Sequence, residues 1–215
     1  MNRPSQHIDA RLLASGMALL PETGCAGLSV RKLVEHAGVN LGMFHYHFKN
    51  KDNFLRVLLQ HMYEDMFTTL TLSVQPSQGG ARNLEAAVRV LAAFAGKNRH
   101  LLLMLMSEAM RGEALPVAFL RANLPRHVGV LAQLLRQGQA EGNIIEAPPA
   151  QLLPFILGAV AGPVFAGGAV ERLPAATPEL AALAQHALLS DQAVTLRIDL
   201  AMRAILMPSK EPAPP

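Results

Sequence analysis

Tryptophan is absent from this 215-residue sequence, aromatic residues make up 5% of it, and Cys25 is its one cysteine. A single cysteine excludes a disulfide framework within the chain, so a reducing compartment is indicated and we expect a cytoplasmic protein. Alternating Val, Ile, Thr and Tyr positions are also missing, which argues against strands. The hydrophobic fraction of 51% is rich in Ala and Leu and predicts an all-α fold with about nine helices.

The sequence also lacks the common motifs of catalysis and cofactor binding. We find no P-loop, no dinucleotide fingerprint, no metal-ligand spacing and no pairing of a nucleophile with a base. We therefore expect no enzyme, no cofactor and no metal. No apolar run follows Met1, so a signal peptide is not expected.

One segment, 147–170, carries no charged residue and is long enough to span a membrane. Four prolines and four glycines interrupt it, and Trp/Tyr belts and flanking Lys/Arg clusters are missing. We interpret it as a helix buried in a dimer core and expect no membrane partner. A membrane-associated protein stays an alternative that fractionation would test.

The charge is distributed unevenly. Residues 1–63 hold seven basic and four acidic side chains, and this difference accounts for the whole formal excess of +3. The same residues include five of the eight histidines. A basic segment on a neutral body indicates a polyanion as partner of that segment. A solvated face with ordinary scatter of charge is the alternative.

The pattern between residues 5 and 72 predicts a compact set of helices. A first helix over about 5–20 should end at Pro21 and Gly24. Ser29 then caps a second helix, and Gly38 follows it where a residue with positive φ is wanted. Asn40 caps a short third helix, and a long amphipathic helix continues to about Leu72.

Further helices are predicted at about 81–96, 99–112, 116–141, 149–169 and 178–207, after a break at 75–80. We divide the chain into a helix-turn-helix domain (1–50), a helical ligand-binding and dimerisation domain (51–207) and a disordered tail (208–215). The tail holds four prolines in eight residues.

The segment LSVRKLVEHAGVNLGMFHYHFKNKDNFL, residues 28–55, resembles the DNA-binding region of the Tet repressor (TetR) family. The match covers about residues 5–62, and the C-terminal part matches in length and helical pattern. The resemblance implies a two-fold dimer on double-stranded DNA, with the third helix in the major groove. It also implies that a ligand shifts the dimer to a head separation that no longer fits the operator.

Residue by residue, the resemblance implies a set of DNA-binding positions. Lys51 matches a phosphate-contacting lysine, and His45 replaces the usual phosphate-contacting tyrosine, with Tyr46 one position later. Leu41 and Met43 offer apolar contact to a thymine methyl group. The complete predicted set is Ser29, Arg31, Asn40, Leu41, Met43, His45, Tyr46 and Lys51. His45 and His47 lie two apart and point to different faces, so a metal site is not expected.

Other features of the sequence allow a structural and a functional interpretation. Cys25, a lone cysteine in an apolar turn, is either a small residue that fills space in the packing or a redox sensor. Apolar side chains of the second domain line either an ordinary core or a pocket for an apolar ligand. The candidate pocket residues are Met104, Met110, Phe119, Phe155 and Phe165.

The last two long helices are expected to form the homodimer, as in the family, because Gly158 and Gly162 allow a close approach of helices. We expect a transcriptional regulator, a repressor released from a palindromic operator by a small, largely apolar effector. The alternative is a DNA-tethered module that recruits another protein and has no small-molecule ligand.

Overall fold

A computed structural model of the chain describes residues 3–208, and for residues 3–6 it describes the backbone alone. The described part is all-α, as predicted, with one π-helix and one isolated antiparallel bridge between Ile144 and Leu206. The helices are α1 (Arg3–Gly27), α2 (Val30–Ala37), α3 (Leu41–Phe48), α4 (Lys51–Ser73), α5 (Gly80–Met110), α6 (Ala114–Ala140), α7 (Pro149–Val170), α8 (Pro178–Leu183), the π-helix (Ala184–Leu189) and α9 (Asp191–Ile205). Residues 209–215, most of the predicted disordered tail, lie outside the described part.

The chain forms two compact units. The first comprises residues up to Asp65 together with His100–Asn123, and the second comprises Met66–Arg99 with the residues from Leu124 onward. Each unit combines segments that are distant in the sequence. The predicted boundary at residue 50 stays a prediction.

In the first unit, α1 does not end at Pro21 as predicted. The helix continues past this proline, and the break comes at Gly24, whose φ of 69° and ψ of 172° are not helical. A proline inside a helix removes one backbone hydrogen bond, whereas a glycine tolerates positive φ and permits the abrupt change of direction. The predictions for α2, α3 and α4 are confirmed to within a residue or two.

The two helices predicted over 81–112 form one helix, α5, which is bent at Asn98. The side chain of Asn98 donates to the carbonyl oxygen of Phe94 over 3.0 Å, and Arg99 donates to that of Gly96 over 2.8 Å. Two side chains thus satisfy carbonyl groups beside the bend. At the start of α5, a Cβ on Gly80 would lie 2.3 Å from the backbone nitrogen of Gly138, so glycine is required where α5 meets α6.

The single helix predicted over 178–207 is interrupted. The π-helix follows α8, and Ser190, in an extended conformation, caps α9 by accepting a hydrogen bond from the amide of Ala193. Arg197 donates to the carbonyl oxygens of Ala187 and Leu188 over 2.9 and 2.6 Å. This guanidinium therefore satisfies carbonyl groups at the end of the π-helix, where regular helical bonding stops.

Helix α7 is apolar and long enough to cross a membrane by length and composition, and one third of its most apolar window is buried within the chain. Leu152, Ile156, Val160 and Val164 lie on its buried side. Phe155, Gly158 and Gly162 are exposed. The helix therefore has a packed side and an uncovered apolar side.

Candidate DNA-binding interface

Side-chain caps and a glycine define the ends of helices α2 and α3 that meet at the turn. The hydroxyl of Ser29 accepts from the amide of Lys32 at the start of α2, and the Asn40 side chain accepts from the amide of Met43 over 2.9 Å at the start of α3. Gly38 ends α2 with φ of 61°. In the left-handed region a residue other than glycine is strained, which explains the glycine between the two helices.

An aromatic cluster lies beneath α3. The rings of Phe44 and Phe48 on α3 are 5.6 and 5.0 Å from the ring of Phe54 on α4, centroid to centroid. All three side chains are buried. A Cβ on Gly16 of α1 would lie 2.7 Å from the tip of Phe54, so this glycine lets α1 approach the cluster. The buried side of α3 is thereby fixed on α1 and α4.

The opposite side of α3 is open to solvent. Leu41 is 49% exposed and Tyr46 77% exposed, His45 is also exposed, and Met43 is half-buried. Leu41 and Tyr46 thus leave apolar surface uncovered on this helix. The helix therefore presents an uncovered face of the size that enters a major groove.

The two histidines of α3 diverge, as the spacing predicts. The ring of His47 is 7% exposed, and its Nδ1 lies 2.5 Å from Oδ1 of Asp9 on α1. The ring of His45 points outward, and its Nδ1 lies 2.9 Å from the carbonyl oxygen of Lys49. The part of the chain that the structure describes holds no cluster of three His, Cys, Asp or Glu side chains suited to a metal.

Lys51, the first residue of α4, is half-buried, and its ammonium group donates to the carbonyl oxygen of Ala26 over 2.8 Å. This bond joins the start of α4 to the end of α1. An ammonium group has three N–H donors, so two remain for an anion. Arg31 is exposed in the first turn of α2.

The bend of α1 is occupied by a buried carboxylate. Oε1 of Glu108 on α5 accepts from the amide of Cys25 over 3.0 Å, and Glu108 is 6% exposed. A Cβ on Gly24 would lie 2.5 Å from the same oxygen. Burial, and then the hydrogen bond and negative charge of Glu108, raise the pKa of the Cys25 thiol to about 12. The thiol therefore stays protonated at neutral pH, which disfavours thiolate chemistry.

The comparisons with known proteins decide the family. Residues 12–58, which include α2, α3 and the aromatic cluster, match the family model described as bacterial regulatory proteins, tetR family. Residues 12–58 are thus a TetR-family segment. The family predicted from the sequence is thereby confirmed for this segment, which contains the caps, the glycine turn and the exposed side of α3.

A curated relative agrees with this assignment. The chain is 31% identical over 96 residues to the HTH-type transcriptional repressor NemR of Escherichia coli strain K12. The match covers 44% of this chain and 45% of NemR, so the chain spans less than half the length of this relative. The remainder of NemR is therefore not compared by this match.

Solved structures share the fold over nearly the whole chain. A TetR-family transcriptional regulator from Agrobacterium tumefaciens has a TM-score of 0.70 and 14% identity and covers 94% of this chain and 100% of its own. A bacterial regulatory protein of the tetR family from Rhodococcus RHA1 has a TM-score of 0.61 and 14% identity, with coverages of 92% and 96%. At such identities the likeness shows the fold alone.

The structure does not gather the five predicted ligand-pocket residues. Met104 and Phe119 lie half-buried in the first unit, where Phe119 lines a cavity of about 350 Å³ together with Arg56. Met110 is 82% exposed, Phe155 is 48% exposed and Phe165 of α7 is half-buried. A ligand role for these residues stays a prediction.

Several contacts of this interface were not predicted from the sequence. The bonds of Lys51 to Ala26 and of Glu108 to Cys25 join residues that lie 25 and 83 positions apart. Glu108 had one available signal, a carboxylate within the apolar run 101–110. A charged residue in such a run needs a buried partner, but the run does not identify that partner.

We expect the Cys25 thiol to react with iodoacetamide at pH 8 at least about tenfold more slowly in the native protein than in urea, because burial keeps it protonated. Glu108→Gln should raise the native rate, since it removes the charge that opposes the thiolate. Glu35→Gln, at an exposed carboxylate, should not. Mass spectrometry of quenched samples measures the rate.

The same pKa also sets a pH window for stability. The pKa of Cys25 is about 12 in the folded protein, above the ordinary value of 9.0. The protonated thiol therefore contributes to the free energy of unfolding in full below pH 9, and this contribution is lost as the pH rises toward 12. Equal labelling rates in native and unfolded protein would contradict both statements.

Proposed function

We propose that the chain represses transcription as a homodimer bound to a palindromic operator, and that a small, largely apolar ligand releases it. The observation that carries the proposal is the exposed face of α3, held over the aromatic cluster within the segment that matches the TetR family. NemR is named a repressor, which supports repression rather than activation. Selection from a random DNA library, followed by fluorescence anisotropy, tests the proposal.

In this proposal, the N-terminal half of α3 contacts bases. Leu41 and Met43 contact thymine methyl groups. Ser29, Tyr46 and Lys51 contact phosphates, and Arg31 contacts a phosphate or a base edge. Asn40 fixes the start of the helix through its bond to the Met43 amide. A two-fold dimer presents two such helices, so the operator has two half-sites related by a palindrome.

The dimer surface is proposed on α7 and α9. Phe155 of α7 and Leu196 and Leu200 of α9 are 48%, 57% and 55% exposed. On α7, a Cβ on Gly158 or Gly162 would meet nothing within 4 Å, so space is open beside both glycines. A second copy of the chain covers this apolar surface, as the family's two-fold assembly requires.

The effector site is proposed in a cavity of about 450 Å³ in the second unit. Its apolar lining includes Ala92, Val164 and Ile198, and Leu189 of the π-helix also lines it. Pockets for small molecules measure about 300–1,000 Å³ and are mostly apolar. The cavity therefore suits a small molecule with an apolar body.

Four charged residues line this cavity, Arg89, Lys97, Arg99 and Asp191, and both arginines are paired with carboxylates beside it. Arg89 bonds to Glu85 and Asp199, and Arg99 bonds to Glu171 over 2.6 and 2.9 Å. These bonds hold the pKa of both guanidinium groups above its usual range. Because the arginine charges are already balanced, they do not demand an anionic ligand, and the proposed effector is largely apolar.

Lys51→Gln should weaken binding to all DNA sequences and reduce the slope of log Kd against log salt concentration by about 1. Glutamine keeps a donor for the Ala26 carbonyl but removes the charge that attracts phosphate. Arg136→Gln, at an exposed position of α6, removes an equal charge and serves as the control. An unchanged slope in Lys51→Gln across three salt concentrations would remove Lys51 from the phosphate contacts.

Leu196→Glu should convert the dimer to a monomer in light scattering and weaken operator binding by at least about a hundredfold, because it places a charge in the proposed interface. The residue is exposed within the chain, so the monomer should stay folded. Leu72→Glu, at a leucine that is 76% exposed on α4, is the matched control. A dimeric Leu196→Glu variant would place the interface elsewhere.

Gly96→Leu should abolish binding of an apolar probe to the cavity. Gly96 lines the cavity, and a Cβ there meets nothing within 4 Å, so the leucine side chain should occupy the space without displacing the helix. N-phenyl-1-naphthylamine, whose fluorescence rises in apolar surroundings, is the probe, and at least about a tenfold loss of affinity is expected. In Gly129→Leu, at an equally open helical glycine outside this cavity, binding should persist. Equal binding by both variants would refute the site.

A further inference from the structure

The corner after α3 contains an unusual backbone turn. Lys49 has φ of 64° and ψ of −55°, and among the described residues it is the one position other than glycine with positive φ. The amide of Asn50 donates to the carbonyl oxygen of Phe48 over 2.7 Å, which closes a three-residue γ-turn of the rare, strained kind. Such a turn persists only where its surroundings hold it.

Side chains on both sides hold the turn. The Asn53 side chain donates to the Phe48 carbonyl over 3.0 Å, and Asn50 caps α4 by accepting from the Asn53 amide over 2.8 Å. From the other side, Nδ1 of His45 lies 2.9 Å from the carbonyl oxygen of Lys49. The turn thus orients this carbonyl group toward the His45 ring.

This bond fixes the tautomer of His45. A carbonyl oxygen only accepts hydrogen bonds, so Nδ1 carries the hydrogen and donates it. In neutral His45 the other ring nitrogen, Nε2, is therefore a bare acceptor. In protonated His45 it becomes a donor and the ring carries a positive charge.

His45 shares the exposed face of α3 with Leu41 and Gly42, which precede it by four and three residues. An acceptor on this face is repelled by a phosphate oxygen, whereas a charged N–H donor binds one. Resting on the DNA-binding function proposed above, we propose that His45 is a protonation-dependent phosphate contact. Uptake of one proton by His45 converts it from a group that opposes DNA binding to one that strengthens it.

Other titratable groups lie on the same elements and have to be separated from His45. Four further histidines lie on α1 to α4. His47 lies beside Asp9, Nδ1 of His36 lies 3.0 Å from the Ser15 hydroxyl, and His7 and His61 are exposed. Between residues 7 and 52, the charged and titratable side chains besides His45 are His7, Asp9, Arg11, Glu22, Cys25, Arg31, Lys32, Glu35, His36, Tyr46, His47, Lys49, Lys51 and Asp52.

The test is the affinity of the full chain for its selected DNA between pH 5.5 and 8.5 at constant ionic strength. Wild-type affinity should fall about tenfold over this range, as expected for loss of one charged hydrogen bond. His45→Asn keeps a donor for the Lys49 carbonyl but has no group at the Nε2 position, so its affinity should stay weak and nearly independent of pH. His45→Arg should bind tightly with little dependence on pH.

His61→Asn is the matched control. His61 is an exposed histidine of α4 that pairs with Asp65, away from the turn, and its replacement should leave the wild-type pH dependence unchanged. A second measurement does not depend on variants. Nitrogen-15 spectra at pH 8 should show the hydrogen of His45 on Nδ1.

Two results would overturn the proposal while DNA binding itself is intact. One is a pH dependence that persists in His45→Asn, and the other is a hydrogen on Nε2 of neutral His45. Failure of the underlying function looks different, because no protein of the series would then bind DNA at any pH.

Discussion

Eight residues are too few for a helix to persist in water by its own hydrogen bonds, and α3 has eight. Its position therefore depends on the burial of Phe44 and Phe48 against Phe54, and every property assigned to its outer face follows from that burial. An aromatic ring fixes direction as well as position, because it packs in a limited set of orientations. The exposed face of α3 is thus presented by a hydrophobic core rather than by the helix itself.

Local signals explain how much of the fold was predictable. Ser29, Gly38 and Asn40 act on amides within a few positions of themselves, so their caps could be inferred from the sequence and are confirmed. The predicted end of α1 at Pro21 was wrong, because a proline removes a hydrogen bond only in its own turn and the helix continues past it. The π-helix was not predictable, because Arg197, which satisfies its last carbonyl groups, lies outside it.

The candidate site, too, is only partly predictable from the sequence. Exposure of Tyr46 follows from helical periodicity, because Tyr46 lies two positions from both Phe44 and Phe48. Leu41 precedes Phe48 by seven positions, so its exposure follows from the family resemblance and not from the pattern. The γ-turn at Lys49 does not follow from it, since a lysine gives no signal of positive φ. The predicted ligand residues have adaptable side chains in common, and side-chain type carries no information about which helices meet around a cavity. The cavity in the second unit has instead a small-residue wall that includes Ala92 and Gly96.

The bend of α1 also limits how this protein can change over generations. Residue 24 needs positive φ, and any side chain there would meet the Glu108 carboxylate as well. Glu108 in turn is held in place by the Cys25 amide. A substitution at position 24 thus meets two obstacles, the strained backbone and the Glu108 carboxylate on a helix far along the chain. Glycine at position 24 is therefore required twice over, and a smaller residue at position 108 would relieve only the second of these constraints.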